Sequence, residues 1–199
     1  MTHPLASAIE PIREKFVYAY TQWLPEMAKQ FPQGVSEHPF AIKADKALLR
    51  SLYRIDFATQ LEPKPEFREF RMQEMIAFKS WDGPMDGVHL HLHPFRWDAA
   101  VVQLRDAKWD EAALLDWFDR YFGLMKGVPV TMPGVQTGGF LHAASLQGEL
   151  LHCDFGTAPL EALIELVGIG ARSGASAVAI SDPTVKPMTP NAPAGDVLN

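Results

Sequence analysis

His89, His91 and His93 are the residues of this chain whose type and spacing point most directly to chemistry. They alternate with Leu90 and Leu92. In an extended strand that alternation sends the three imidazoles to one face and the leucines to the other. Two imidazoles at i and i+2 make a common half-site for zinc or another divalent transition metal. Three in a row do not share one ion. Same-face neighbours stand about 6.6–6.8 Å apart, so the outer pair is separated by about 13 Å, against a zinc–imidazole bond of about 2 Å. A site therefore needs ligands from the strands alongside. With 67–79 and 99–105 as those strands, the neighbours are Gln73, Met75 and Ala77 on one side and Ala99, Val101 and Gln103 on the other. None is a good ligand for a hard or borderline metal. The same face, rimmed by Arg71, Lys79 and Arg105, has the apolar centre and polar edge of an interaction surface. A protein partner or the N-terminal helical segment would cover it equally well.

Cys153 and His142 form a second constellation. A hairpin turning at Gln147-Gly148 sets them directly opposite each other, and a thiol beside an imidazole is a nucleophile–base pair. Phe140, Leu151 and Phe155 share that face, however, which describes a buried thiol in a core. Asp154 alternates to the other face with His152, where the pair reads as solvated surface. The chain has no Gly-x-Gly-x-x-Gly, P-loop, Gly-x-Ser-x-Gly, His-Glu-x-x-His or Cys-x-x-Cys pattern.

Composition narrows the setting in which these residues work. The chain has 199 residues, 47% hydrophobic and 21% charged, which fits one globular domain and excludes general disorder. No stretch approaches the roughly 20 apolar residues of a membrane span, and the N-terminus lacks the basic-then-apolar pattern of a secretory leader. A lone cysteine fits a reducing, cytoplasmic compartment. Residues 1–79 carry 11 Lys/Arg and 10 Asp/Glu, whereas 80–199 carry 7 and 14. The acidic second part argues against nucleic acid, which needs clustered cations, and favours solubility or a basic partner.

The elements that would position these residues follow from periodicity. Ile9, Ile12, Phe16, Tyr20 and Trp23 recur at helical spacing, with Pro11 in a first turn and a kink or restart at Pro25. Residues 33–40 read as a loop and 44–53 as a short helix. Runs at 67–79, 87–93 and 99–105 read as three antiparallel strands, broken at 81–84 and 94–98. Pairing Phe78 with Val88, Leu90 with Val102 and Leu92 with Ala100 makes one face apolar. A helix over 110–122 ends at Gly123. Segment 127–139 reads as a loop with a short strand at 128–131. A second hairpin spans 139–146 and 149–156. Thr157 caps a helix over 159–169, which Gly168, Gly170 and Gly174 end, and 176–181 is a last buried strand. Residues 182–199, rich in proline, read as a tail.

The expected fold is α+β: a three-stranded antiparallel unit, a second hairpin and a last strand packed against helices, with an N-terminal helical portion over 1–65. Residues 1–181 make the domain. The element order resembles, at fold level only, small acidic bacterial chaperones and adaptor proteins that lack active sites. On function, the leading expectation is a non-enzymatic protein-binding protein of adaptor, chaperone or immunity type, without cofactor or membrane contact. Its contact surfaces are the His-bearing face and the acidic side of the 110–122 helix. The competing expectation is a metal-binding protein or metal-dependent enzyme centred on His89, His91 and His93.

Overall fold

The structure, a computed structural model, describes residues 4–62, 64–72, 77–85 and 87–185. Its helices are α1 (Pro4–Gln30), α2 (Glu111–Phe122) and α3 (Glu161–Arg172). Its strands are β1 (Val35–Ala41), β2 (Leu52–Gln60), β3 (Glu66–Arg68), β4 (Trp81–Met85), β5 (Val88–Leu92), β6 (Ala100–Arg105), β7 (Met132–Pro133), β8 (Ala143–Gln147), β9 (Leu150–Asp154) and β10 (Ala177–Ser181). They form a four-stranded sheet, β3-β2-β1-β7, and a six-stranded sheet, β4-β5-β10-β6-β9-β8. Every pairing is antiparallel except β5 with β10. The fold is α+β, as the periodicities predict.

Helix α1 runs unbroken through Pro11 and Pro25, so neither the first-turn position of Pro11 nor the restart at Pro25 is observed. Leu5, Ile9, Ile12, Phe16, Tyr20 and Leu24 form its buried stripe. Trp23 packs edge-on against Phe57 of β2. The stretch read as a loop, 33–40, is instead mostly β1. The helix read over 44–53 is a short 3-10 turn at Leu49–Ser51 leading into β2. These strands were disguised because they bury polar side chains: Ser36, Glu37 and Arg54 are all inside.

The His-bearing region is also rearranged. Of the run at 67–79, Phe67 and Arg68 join the four-stranded sheet as part of β3 and 73–76 lies outside the described residues. Strand β5 pairs instead with β4, the segment read as a break, and Val88 faces Met85. Pro84 fits there because β4 is an edge strand, where a missing ladder donor costs little. Gly87, at φ 87°, lies in the connection from β4 to β5, a backbone conformation that suits glycine. The expected β5–β6 pairing does not occur either: β10 inserts between them, parallel to β5 and antiparallel to β6. Its Ala177, Val178, Ala179 and Ile180 are buried on both faces, which suits a central strand.

Val88, Leu90, Leu92, Val178, Ile180, Val102, Leu104 and Leu151 form the core face. Helix α2 has its expected ends: Asp110 accepts from the amides of Ala112 and Ala113, and Gly123 closes it in the left-handed conformation. Helix α3 differs at both ends. It continues through Gly168 and Gly170 to Arg172, and Thr157 does not cap it. Gly170 is needed for close packing, since a Cβ there would stand 2.7 Å from Leu104 and 2.8 Å from Val178. Among the described residues no helix is long and apolar enough to cross a membrane. The tail read over 182–199 lies outside the described residues from 186 onward.

Candidate functional site

The β4–β5 hairpin sets Asp82 directly across from His91. Because side chains alternate along both strands, His89, His91 and Asp82 project from the same face, opposite Leu90. Asp82 Oδ1 lies 2.5 Å from His89 Nε2, and Asp82 Oδ2 lies 2.5 Å from His91 Nδ1. The two imidazole rings stand 4.7 Å apart, centroid to centroid. One carboxylate thus sits between two imidazoles. The side chains of Asp82, His89 and His91 are 47%, 40% and 17% exposed, so the group is open to solvent. Partial burial pushes Asp82 up, but hydrogen bonds from His89 and His91 outweigh it and hold the carboxyl below its usual range.

One donor atom from each of the three residues falls within 4.8 Å of the others. Ligands around a tetrahedral zinc, with bonds of about 2.0–2.2 Å, stand about 3.3–3.6 Å apart. The exposed Asp82 and His89 can close that difference by turning about their side-chain bonds. Two nitrogens and one carboxylate oxygen suit a borderline transition ion, with the remaining positions left to water.

The other residues singled out in the sequence fall elsewhere. His93 lies past the end of β5, with Nδ1 3.5 Å from Ser80 Oγ. Burial first, and then the charge of His91, lower its pKa against the pull of Asp82. Gln103 shares the outer face but is separated from His91 by Ala179 of β10. Gln73 and Met75 lie outside the described residues. Asp82 was missed because Asp82-Gly83-Pro84 reads as a break; the Asp86-Gly87 turn signal would have revealed the hairpin.

The Cys153–His142 pair does not form. The turn falls at residues 148 and 149, and Cys153 faces Ala144. Cys153 is buried, and burial together with Asp154 pushes its thiol well up.

His142 belongs instead to a buried cluster at the seam of the two sheets, where the Arg54 amide donates to the His142 carbonyl at 2.7 Å. Glu37 Oε1 lies 3.2 Å from His142 Nε2. Asp56 Oδ1 lies 3.0 Å from Nδ1, close enough for charge attraction though off the ring's hydrogen-bonding line. Glu37 also accepts from the Thr157 hydroxyl and, at 2.5 Å, from the Gly138 amide. Arg54 donates to the carbonyls of Phe122, Glu37 and Val130, with its guanidinium 3.8 Å from the Phe140 ring centroid. Burial opposes charge on His142, but Asp56, Glu37 and Asp154 outweigh it and raise its pKa well above the ordinary value. Only polarity in an otherwise strand-like stretch marks this cluster in the sequence. No protein-family model, curated protein or solved structure matches the chain.

Proposed function

We propose that this chain binds a divalent transition-metal ion on the outer face of its six-stranded sheet, through Asp82, His89 and His91. The observation that carries this reading is the Asp82 carboxylate lying between His89 Nε2 and His91 Nδ1, each at 2.5 Å. The two histidines alone lack a third ligand, and β4 supplies it. The N₂O donor set favours zinc, cobalt, nickel, copper or ferrous ion over magnesium and calcium, which prefer all-oxygen sites. The openness of the face suits capture or sensing of the ion more than chemistry on an enclosed substrate.

Recognition of a basic protein through the acidic side of α2 has weaker support. Asp116 pairs with Arg120, which Glu165 also engages, and Asp119 pairs with Arg50, so two of that side's carboxylates already have cationic partners within the chain.

The test uses tag-free protein stripped of metal and titrated with cobalt(II) and zinc(II), read by visible absorption and calorimetry. One equivalent should bind and be lost in both Asp82→Ala and His91→Ala. Absence of binding, or binding that survives both substitutions, overturns the reading.

A further inference from the structure

The seam cluster has a feature that the metal reading does not use. Both ring nitrogens of His142 face carboxylate oxygens, Glu37 Oε1 at 3.2 Å and Asp56 Oδ1 at 3.0 Å. A neutral imidazole has one N–H and one lone pair, so it can turn a positive edge to only one of them. The second carboxylate would then face a lone pair inside the protein. The ring is packed closely, by the chain at Gly156, where a Cβ would stand 2.1 Å from His142 Cδ2, and by the Tyr20 ring. The geometry therefore calls for the imidazolium.

What the imidazolium holds can be followed bond by bond. It neutralises Glu37, whose carboxylate takes the Gly138 amide and the Thr157 hydroxyl. The Thr157 oxygen in turn accepts the Phe140 amide at 3.0 Å. Glu37 itself is fully buried with φ 51°, a conformation that costs a non-glycine residue energy and persists only when its surroundings impose it. The charged and titratable groups around the ring come from three strands and a helix. They are Glu37 on β1, Arg54 and Asp56 on β2, Asp154 on β9, and Tyr20 on α1, with His142 itself just before β8. Asp98 adds its field through Asp154.

We propose that the imidazolium of His142 is a proton-dependent fastener at the sheet seam: losing one ring proton takes the imidazolium countercharge from the buried Glu37 carboxylate and so releases the segment around Gly138 and Phe140 before the rest of the fold opens. Asp82, His89 and His91 take no part in it.

Imidazole nitrogen NMR and residue-resolved amide exchange, measured from neutral pH upward, test the proposal. At neutral pH both ring nitrogens should carry protons. As the ring titrates, protection at Gly138 and Phe140, corrected for intrinsic exchange, should fall at least about tenfold while Leu151 and Val178 keep theirs. His142→Gln should show the released pattern already at neutral pH. Should that variant not fold, Thr157→Val keeps the ring and removes one link. It should expose Phe140 at every pH while leaving the imidazolium signature intact. A single neutral tautomer at neutral pH, unchanged protection while the ring titrates, or cooperative melting before the ring loses its proton each overturns the proposal.

Discussion

Two clusters in this molecule are chemical inversions of each other. At the edge of the six-stranded sheet one carboxylate, Asp82, lies between two imidazoles. At the seam between the sheets one imidazole, His142, lies between two carboxylates, Glu37 and Asp56. The atoms are the same kinds, 2.5 Å apart at the edge and 3.0–3.2 Å apart at the seam, and burial separates their roles. At the edge, water solvates every partner, so a proton or an ion can replace another at little cost. At the seam, Glu37 and His142 are at most 1% exposed, and each charge depends on the others for the solvation it has lost. The first arrangement is available to a guest; the second is committed to the fold.

Breaking each cluster in turn exposes the largest difference. Glu37→Ala or His142→Ala leaves an uncompensated buried charge and should cost about 3–5 kcal/mol of stability. Asp82→Ala, which removes the centre of an exposed group, should stay within about 1 kcal/mol. Urea denaturation of the three variants measures this. Equal losses would mean that the edge cluster is also structural, and the case for a ligand site there would weaken.

Metal affinity should divide the clusters in the opposite sense. His91→Ala and Asp82→Ala should each weaken zinc binding by at least about tenfold, an effect of about 1.4 kcal/mol. Thr157→Val, at the seam, should leave it unchanged. The ligating nitrogens are the ones that face Asp82, so any proton on them must leave before the ion enters. Affinity should therefore fall as pH is lowered, by up to about a hundredfold per pH unit where two protons are displaced. Calorimetry from neutral to acid pH reads the slope; a slope of about tenfold would mean that one histidine is a ligand, and a flat profile that neither is.

Stability should follow the seam and not the edge. His142 has a folded pKa above its unfolded one. Its contribution is therefore full below the unfolded value and is lost as pH rises through the folded one. Asp154 acts in the same direction at lower pH. Burial first, with Asp56 and Asp98, pushes it up to about 7 against the pull of His142 and the Gly156 amide. The stability gained from its extra folded-state proton fades between the ordinary carboxylate range and about 7. Arg54, lowered by burial to about 10, works the other way only at that alkaline end. Unfolding free energy should thus decline from mildly acid to mildly alkaline pH, by at most about 1.4 kcal/mol per unit for each proton. A curve that stays level above neutrality in the native protein would remove the fastener's energetic basis.

How much of this was legible in the sequence also divides between the two regions. Helix α2, with Asp110 and Gly123 at its ends, the β8–β9 hairpin and the buried β10 strand follow from local pattern. So does the projection of His89 and His91 from one face. Asp82 was hidden because glycine and proline argue against a strand, and only its edge position makes Pro84 acceptable. The seam was less legible still. Ser36, Glu37, Arg54 and Asp56 interrupt the alternation that marks a strand, and their partners lie up to 120 positions away. The insertion of β10 between β5 and β6 is likewise a long-range choice, which no pairing of successive segments reveals.

Cys153 provides the smallest expected effect, and its value lies in being absent. The thiol lies on the core face of β9, two residues before Phe155 and beside Asp154. Burial raises the thiol pKa, and the neighbouring carboxylate adds to it, so thiolate is scarce and reagent has no approach. An alkylating reagent should leave the native protein unmodified at neutral pH and label it fully in urea, as mass spectrometry would record. Native labelling faster than global unfolding allows would show that water and reagent reach the interior beside the seam. His142 would then have solvent to replace a lost carboxylate contact, and the contrast between an open edge and a sealed seam would fail at its sealed end.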